Sequence, residues 1–335
     1  MAQSDCLLKE IFMDGKNLKV LITGNLGFVG SATQKLFEER GIDVFGYDIM
    51  EKKDIRSIDQ FDEVVRQQEP DRILHLAAIA RFSDADRDPK TAHETNVLGT
   101  MNVASVAAKY RVPLVYSSTG SVYMPIKREG SITEDFETMG NSVYGVTKNL
   151  GELYIKSFGN PYIILRYAHL YGKEKRMHGL IGGFLERIER GMAPTLYGGS
   201  QSNSFTYIED IAEANYLAVT APWDKWNNIY NIGSKEEITA EDAGKLVCEI
   251  FGYKGEIEKV AARTVDPLRF WFNCNKAKIM LNFEAKYSLE QGLRHMAKEM
   301  GHEPVLDGDM FPNAFIDRER ILVDQKDVFV DKEGV

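Results

Sequence analysis

The first 173 residues alternate short apolar runs with stretches whose apolar residues recur at helical spacing, and few folds tolerate that alternation. "KVLITG" (19–24) is an apolar run stopped by glycine, and "FVGSATQKLFEERG" (28–41) follows with helical periodicity closed by Gly41. "IDVFGYD", "DRILHLAA", "VPLVYSS" and "YIILRYAHLYG" read as four further strands. Between them, "IDQFDEVVRQQ", "DPKTAHETNVLGTMNVASVAAKY" from about Pro89, and residues 142–158 read as helices. Strand-length apolar runs separated by helices imply a parallel sheet covered on both faces, so the expected fold is α/β, a doubly wound parallel sheet.

The pattern loosens after residue 173. "GGFLERIERGM", "IEDIAEANYLAV" and a stretch near 289–300 read as helices, and "PTLYGG" and "NIYNIG" as short strands. The expected organisation is a polar extension (1–18), a dinucleotide-binding domain (19–173), a mainly substrate-binding region (174–315) packed directly on it, and a polar tail (316–335). No apolar run approaches the roughly 20 residues that span a bilayer, and Asp5, Lys9, Glu10, Asp14 and Lys16 interrupt the place where a secretion signal would be apolar. Cys6, Cys248 and Cys274 are too far apart for a metal site or a disulfide frame, which points to a reducing compartment, the cytoplasm. A net charge of -9 argues against nucleic acid or an anionic membrane as the main partner.

"TGNLGFVG" places Gly24, Gly27 and Gly30 at three-residue intervals between a strand and a helix. Glycines there permit a tight turn and close approach of a pyrophosphate, while the helix N-terminus offers free N–H groups. Asp48 lies 18 residues beyond Gly30 at the end of the second strand. A carboxylate there accepts from both ribose hydroxyls and repels a 2′-phosphate, which selects NAD over NADP.

Tyrosine precedes lysine by four positions at Tyr123/Lys127, Tyr144/Lys148 and Tyr171/Lys175. The spacing puts both side chains on one face only within a helix. Pro125 breaks the first pair, and "YG" after a strand gives the third the character of a turn. Tyr144/Lys148 opens "YGVTKNLGELYIKSF", with Glu152 on the same side. "VYSSTGS" ends the strand before that helix, so Thr119 sits at the carboxyl edge of the sheet, where ligands of such sheets bind. A free phenol, with pKa about 10, is a poor base at neutral pH. A neighbouring ammonium and a positive nicotinamide ring are each expected to lower it by about 1 to 3 units, which would suit Tyr144 to general-base work.

Together "TGNLGFVG", "HLAA", "NVLGT", "SSTGSVY" and "YGVTK" resemble the extended short-chain dehydrogenase/reductase family, in its nucleotide-sugar epimerase/dehydratase branch. "LRYAHLYG", "GGFLERIERGMAPTLYGGSQSNSFTYIEDIAEA" and "ARTVD" extend the resemblance to about residue 300. The resemblance implies that NAD is held by Gly24, Asn25, Leu26, Gly27, Phe28, Val29, Gly30 and Asp48, with Asp54 and Ile55 at the adenine. It implies that Leu76, Ala77, Ala78, Asn96, Ser117 and Tyr167 line the cofactor cleft. Tyr144 would be the base, Lys148 would hold the nicotinamide ribose, and Thr119 would bind the sugar hydroxyl being oxidised. It further implies a homodimer built on helices 89–109 and 142–158.

Three departures from the family pattern bear on the reaction. Dehydratases carry Asp-Glu after the Thr119 position, and decarboxylases want a carboxylate at Ser121, but this chain has Gly120 and Ser121. His169 stands where the family has asparagine, as a ligand donor or as a structural histidine. Asn203 stands where the family has a diphosphate-gripping arginine, although Arg263 matches the second such arginine. Arg81, after "HLAAIA", is either a substrate contact or a loop cation. The implied activity is epimerisation at carbon 4 of a nucleotide sugar. A dehydrogenase or ketoreductase with net turnover of NAD(H), and a non-catalytic NAD sensor, are the alternatives.

Overall fold

In a computed structural model the chain is described at residues 18–123, 130–173, 179–262 and 268–302. Arg263, Lys127, Lys175, Cys6, the extension up to residue 17 and the 316–335 tail lie outside them. Six parallel strands form the main sheet: β1 (Lys19–Thr23), β2 (Asp43–Tyr47), β3 (Arg72–His75), β4 (Leu114–Thr119), β5 (Tyr162–Tyr167) and β6 (Asn228–Ile232). Their spatial order is β2-β1-β3-β4-β5-β6. The chain reverses its direction of growth between β1 and β3, and at such a switch point the carboxyl ends of the strands leave a crevice.

Both faces are covered, as the near-continuous apolar strands require. On one face, α1 (Phe28–Glu39) turns Thr33 and Phe37 inward. On the other, α2 (Ile58–Gln68) and α3 (Thr100–Tyr110) bury Phe61, Val65, Val103 and Ala107 against Leu21, Ile73 and Ile164. The long helix expected from Pro89 is present but not uniform: Pro89–His93 is α-helical, Glu94–Gly99 winds as a wider π turn, and α3 continues to Tyr110. Helix α4 (Val143–Ser157) starts at Ser142, whose side chain accepts from Gly145 N. Helix α5 (Ile208–Val219) packs beside α1 through Asn215, which donates to Thr33 Oγ1 at 3.0 Å, and Glu213, which pairs with Arg40 at 2.5 Å.

Some elements differ from the sequence reading, these two among them. "YIILRYAHLYG" is not one strand: β5 ends at Tyr167, and His169–Tyr171 pairs with Phe205–Tyr207 in a separate sheet. The break comes at Ala168, whose N–H donates to Ile232 O at 2.9 Å on β6, while the chain beyond it turns off the main sheet. The helix Ala240–Ile250 was not anticipated. Its signal was "TAED", in which the Thr239 hydroxyl accepts from Asp242 N at 3.1 Å as an N-cap.

A β-carbon on Gly30 would lie 2.1 Å from Gly24 O and 2.6 Å from Asn25 Cα, so Gly30→Ala is expected to destabilise the fold by about 1–3 kcal/mol through overpacking. Gly183, inside the helix Gly179–Glu189, has open space around its missing β-carbon. Gly183→Ala is therefore expected to stabilise by about 0.5–1 kcal/mol. Denaturant unfolding of the two variants beside the wild type reads both signs.

Candidate active site

The glycine loop is built by contacts on every side. Gly24 has φ +73°, and a β-carbon there would lie 2.7 Å from Ala77 N, so the loops after β1 and β3 touch at the switch point. Gly27 caps α1 without a side-chain hydrogen bond, which leaves the N–H groups of the first turn for a ligand. Asp48 is buried, and its carboxylate accepts from Leu26 N at 3.1 Å and from Met50 N at 2.9 Å. It thereby fixes the loop, and each oxygen keeps a lone pair for a further donor. Leu26 is half exposed, whereas Phe28 and Val29 pack on the core. Asn25 is buried, donates to Gln34 at 3.0 Å, and leaves Oδ1 without a partner. A cradle shut to side chains, unsatisfied first-turn donors and a fixed carboxylate together fit a dinucleotide.

Several expected lining residues have partners within the protein. Asn96 sits in the π turn with Oδ1 accepting from Ile79 N at 2.8 Å and Nδ2 donating to Ile79 O and Thr147 Oγ1. It holds the loop carrying half-buried Leu76, Ala77 and Ala78 against α4, and its amide is spent in doing so. Tyr167 donates to Asn215 at 2.6 Å and belongs to the core. Ile55 packs inward below Gly99, and Asp54 is gripped by Arg56 at 2.6 Å. Ser117 is buried at the end of β4.

At the carboxyl edge of β4, Thr119 and Ser121 are buried and linked: Thr119 Oγ1 donates to Ser121 Oγ and accepts from Ser121 N, both at 3.2 Å. Tyr144 is half-buried, with the Phe82 ring edge-on at 5.4 Å between centroids. Lys148 is 2 % exposed, and its Nζ lies 4.0 Å from the centre of the Tyr116 ring. Burial pushes the Tyr144 phenol up to about 12, with the Thr119 hydroxyl pulling the other way. Burial pushes the Lys148 ammonium down to about 7, and Glu152 opposes that. Among the protein's own groups the phenol is therefore raised and the ammonium depressed, because desolvation disfavours charge on both.

The substrate side is aromatic. A β-carbon on Gly120 would lie 2.3 Å from Phe272 Cζ and 2.4 Å from Phe270 Cζ, so any side chain there would have to displace the two rings. His169 leans edge-on to Phe270 at 4.8 Å, and its buried Nδ1 has no partner. Burial pushes its pKa down to about 4, which keeps the ring neutral near pH 7. Asn203 is half-buried in the short strand Ser202–Asn203, between Ile238–Thr239 and Arg269–Phe270. Arg81 precedes the helix Phe82–Arg87. The buried partners Glu152, Arg166, Tyr116 and Phe270 were not assigned roles from the sequence; only the +8 spacing of Glu152 from Tyr144 hinted at one.

The model of the NAD dependent epimerase/dehydratase family matches residues 20–233. The chain belongs to this family. NAD is therefore its cofactor, as the cradle led one to expect. A curated relative from Methanocaldococcus jannaschii, named a putative UDP-glucose 4-epimerase, is 27% identical over 84% of this chain and 98% of its own. The crystal structure of UDP-glucose 4-epimerase with UDP-glucose from Thermotoga maritima superposes with a TM-score of 0.78 at 28% identity, covering 84% of this chain and 98% of that one. A Thermus thermophilus UDP-glucose 4-epimerase in complex with NAD gives 0.76 at 26% identity, over 85% and 99%. Relatives named as a dTDP-glucose 4,6-dehydratase and as UDP-glucuronic acid decarboxylases also align along most of the chain. Among the described residues, no helix is long and apolar enough to cross a membrane.

The depressed His169 has a readable sign. The unfolded chain takes up its proton near pH 6.5 and the folded protein only near 4, so its stabilising contribution is lost as pH falls through that window. Between pH 7 and 5 the wild type is expected to lose about 2 kcal/mol from this residue. Urea unfolding of His169→Phe at both values should show a pH dependence shallower by that amount.

Proposed function

We propose that this chain is an NAD-dependent nucleotide-sugar epimerase acting at carbon 4 through a transient 4-keto sugar, with Tyr144 as base. The observation that carries the reading is the pairing of Thr119 and Tyr144 at the carboxyl edge of β4 beside a Gly120 walled off by Phe270 and Phe272. Hydroxyl chemistry is served there, and Gly120 and Ser121 supply neither the carboxylates of water elimination nor that of decarboxylation. That favours epimerisation over the dehydratase and decarboxylase reactions of other relatives.

In this reading Tyr144 Oη takes the proton of the sugar hydroxyl while Thr119 Oγ1 hydrogen-bonds the same oxygen. Lys148 stabilises the phenolate and holds a ribose hydroxyl. Bound cofactor would supply a reversible hydride acceptor for the sugar carbon, and the positive charge of its oxidised form would favour ionised Tyr144. The first-turn N–H groups of Phe28, Val29 and Gly30 would hold the pyrophosphate, with Gly24 and Gly27 allowing its close approach, and Asp48 would hold the adenosine ribose. Ser121 and Arg81 would line the sugar pocket. Neutral His169 and half-buried Asn203 would meet the nucleotide portion where the family uses asparagine and arginine, and Arg263 would meet the diphosphate. The UDP-sugar named with the Thermotoga maritima structure supports a nucleotide-sugar substrate.

We also propose a homodimer through the stretches 89–109 and 142–158, which expose Leu98, Val146, Leu153, Tyr154 and Phe158. The free thiols Cys248 and Cys274 suit the cytoplasm.

Tyr144→Phe is expected to retain NAD and to lose at least about a thousandfold in kcat, within the range of general-base contributions. Wild-type turnover of a UDP-hexose panel, followed by nuclear magnetic resonance, should invert carbon 4 with no net NADH. Steady NADH accumulation would instead establish a dehydrogenase, and full function of Tyr144→Phe a sensor. Sedimentation should give a dimer that Leu153→Glu together with Tyr154→Glu converts to monomer.

A further inference from the structure

Outside the crevice, three metal-ligating side chains converge where two helices meet. Glu209 lies in the first turn of α5, and His295 and Glu299 lie four residues apart in the helix Leu289–Glu299. That spacing sets an imidazole and a carboxylate on one helical face. One ligand atom from each of the three lies within 4.8 Å of the other two.

Two features separate this cluster from an ordinary solvated group of charges. His295 Nδ1 is buried and makes no hydrogen bond, although part of the ring reaches solvent. The atom it faces, Glu209 Oε1, is 3.7 Å away, beyond hydrogen-bonding range. Such a gap fits one cation between the two: zinc bonds of about 2.1 Å to nitrogen and oxygen leave adjacent tetrahedral donors roughly 3.4 Å apart. The second feature is the lack of a counter-charge. Glu209 and Glu299 approach each other, and among the described residues neither carboxylate pairs with a lysine or an arginine. Lys173 reaches only the Glu299 backbone carbonyl, at 2.6 Å.

The carboxylates are also held from behind. Tyr287 Oη donates to Glu209 Oε2 at 2.5 Å, and Tyr207 Oη donates to Glu299 Oε2 at 3.0 Å. The Tyr287 ring lies nearly parallel to the imidazole, at 16° and 5.8 Å between centroids. Donors placed behind a ligating carboxylate fix its orientation and leave its other oxygen for a metal.

We propose that Glu209, His295 and Glu299 form a binding site for a divalent transition cation of the zinc kind, with water completing the coordination. One imidazole and two carboxylates are a donor set for such ions, whereas calcium and magnesium take oxygen ligands, so the nitrogen sets the preference. The bound ion would tie the helix Leu289–Glu299 to α5. Both helices adjoin the small sheet, since α5 continues directly from Phe205–Tyr207 and Tyr171 Oη donates to Leu289 O at 3.3 Å. The ion thereby braces the strands that carry His169, and none of its ligands belongs to the residues proposed for catalysis.

The test is a zinc titration of the full, NAD-loaded chain after treatment with a chelator, read by calorimetry and by thermal unfolding. The wild type is expected to bind one zinc ion here and to melt a few degrees higher with it, because a ligand that binds only the folded state stabilises it. His295→Ala is expected to weaken that binding by at least about a hundredfold and to abolish the rise in Tm, and Tyr287→Phe, which keeps the ring but removes the donor behind Glu209, to weaken it by about tenfold. Calcium and magnesium at the same concentration should leave Tm unmoved. Absence of zinc binding, or binding unaltered in both His295→Ala and Glu209→Gln, overturns the proposal; the second result would mean an adventitious ion only. A Tm raised equally by calcium overturns it too, since the histidine would then have no part in selection. Melting curves without metal separate lost binding from lost folding, and His295→Gln replaces His295→Ala, with the same expectation, if the latter does not melt cooperatively. None of these outcomes depends on the reaction, so an inactive protein that binds zinc through His295 would sink the epimerase reading and leave this one standing.

Discussion

A helix that turns Lys148 and Glu152 toward the interior cannot dock on an apolar sheet, because each desolvated charge would cost several kcal/mol without a partner. The architecture around α4 follows from that constraint. Strand β4 supplies the Ser118 hydroxyl and the Tyr116 ring, and β5 supplies the Arg166 guanidinium, so the helix seats in one register only. That register sets Tyr144 beside Thr119 at the end of β4. The polar interior is thus what brings the two hydroxyls together, and the apolar core around it fixes the distance between the layers.

A second constraint acts at the other side of the crevice. Between β1 and β3 the sheet changes its direction of growth, and the loops after those strands press together at Gly24 and Ala77. The dinucleotide cradle and the tyrosine helix therefore lie along one edge of one sheet. The chain then leaves that sheet at Ala168 and carries His169 to a small second sheet beside Phe270. The residues proposed for the cofactor lie on the main sheet and its loops, whereas His169 and Asn203, proposed for the nucleotide portion of the substrate, lie on short strands assembled from distant parts of the chain. This division explains why one scaffold serves relatives with different named reactions.

Much of the fold was legible because its signals are local. The periodicity of 28–41 and 58–68, the glycine triplet after a strand, and the proline inside one of three tyrosine–lysine pairs all depend on neighbours a few residues away. Contacts between remote positions carry no such local signal. Asn96 binds Thr147, 51 residues on, and Tyr167 binds Asn215, 48 residues on. "YIILRYAHLYG" looked continuous because nothing near Ala168 announces that Ile232 will take its N–H.

The sequence by itself determined the alternation of strand and helix, the phosphate-ready turn, and the placing of Tyr144 and Lys148 on one helix, since hydrophobic period and glycine spacing are properties of a short stretch. Only the tertiary structure decided the ionisation of that pair. Burial is a sum over groups from β3, β4, β5 and α4 that no linear window contains, and it raises the phenol and depresses the ammonium against the simple expectation of two neighbouring charges. The same is true of the space at Gly120, which two phenylalanines 150 and 152 positions further along the chain close off.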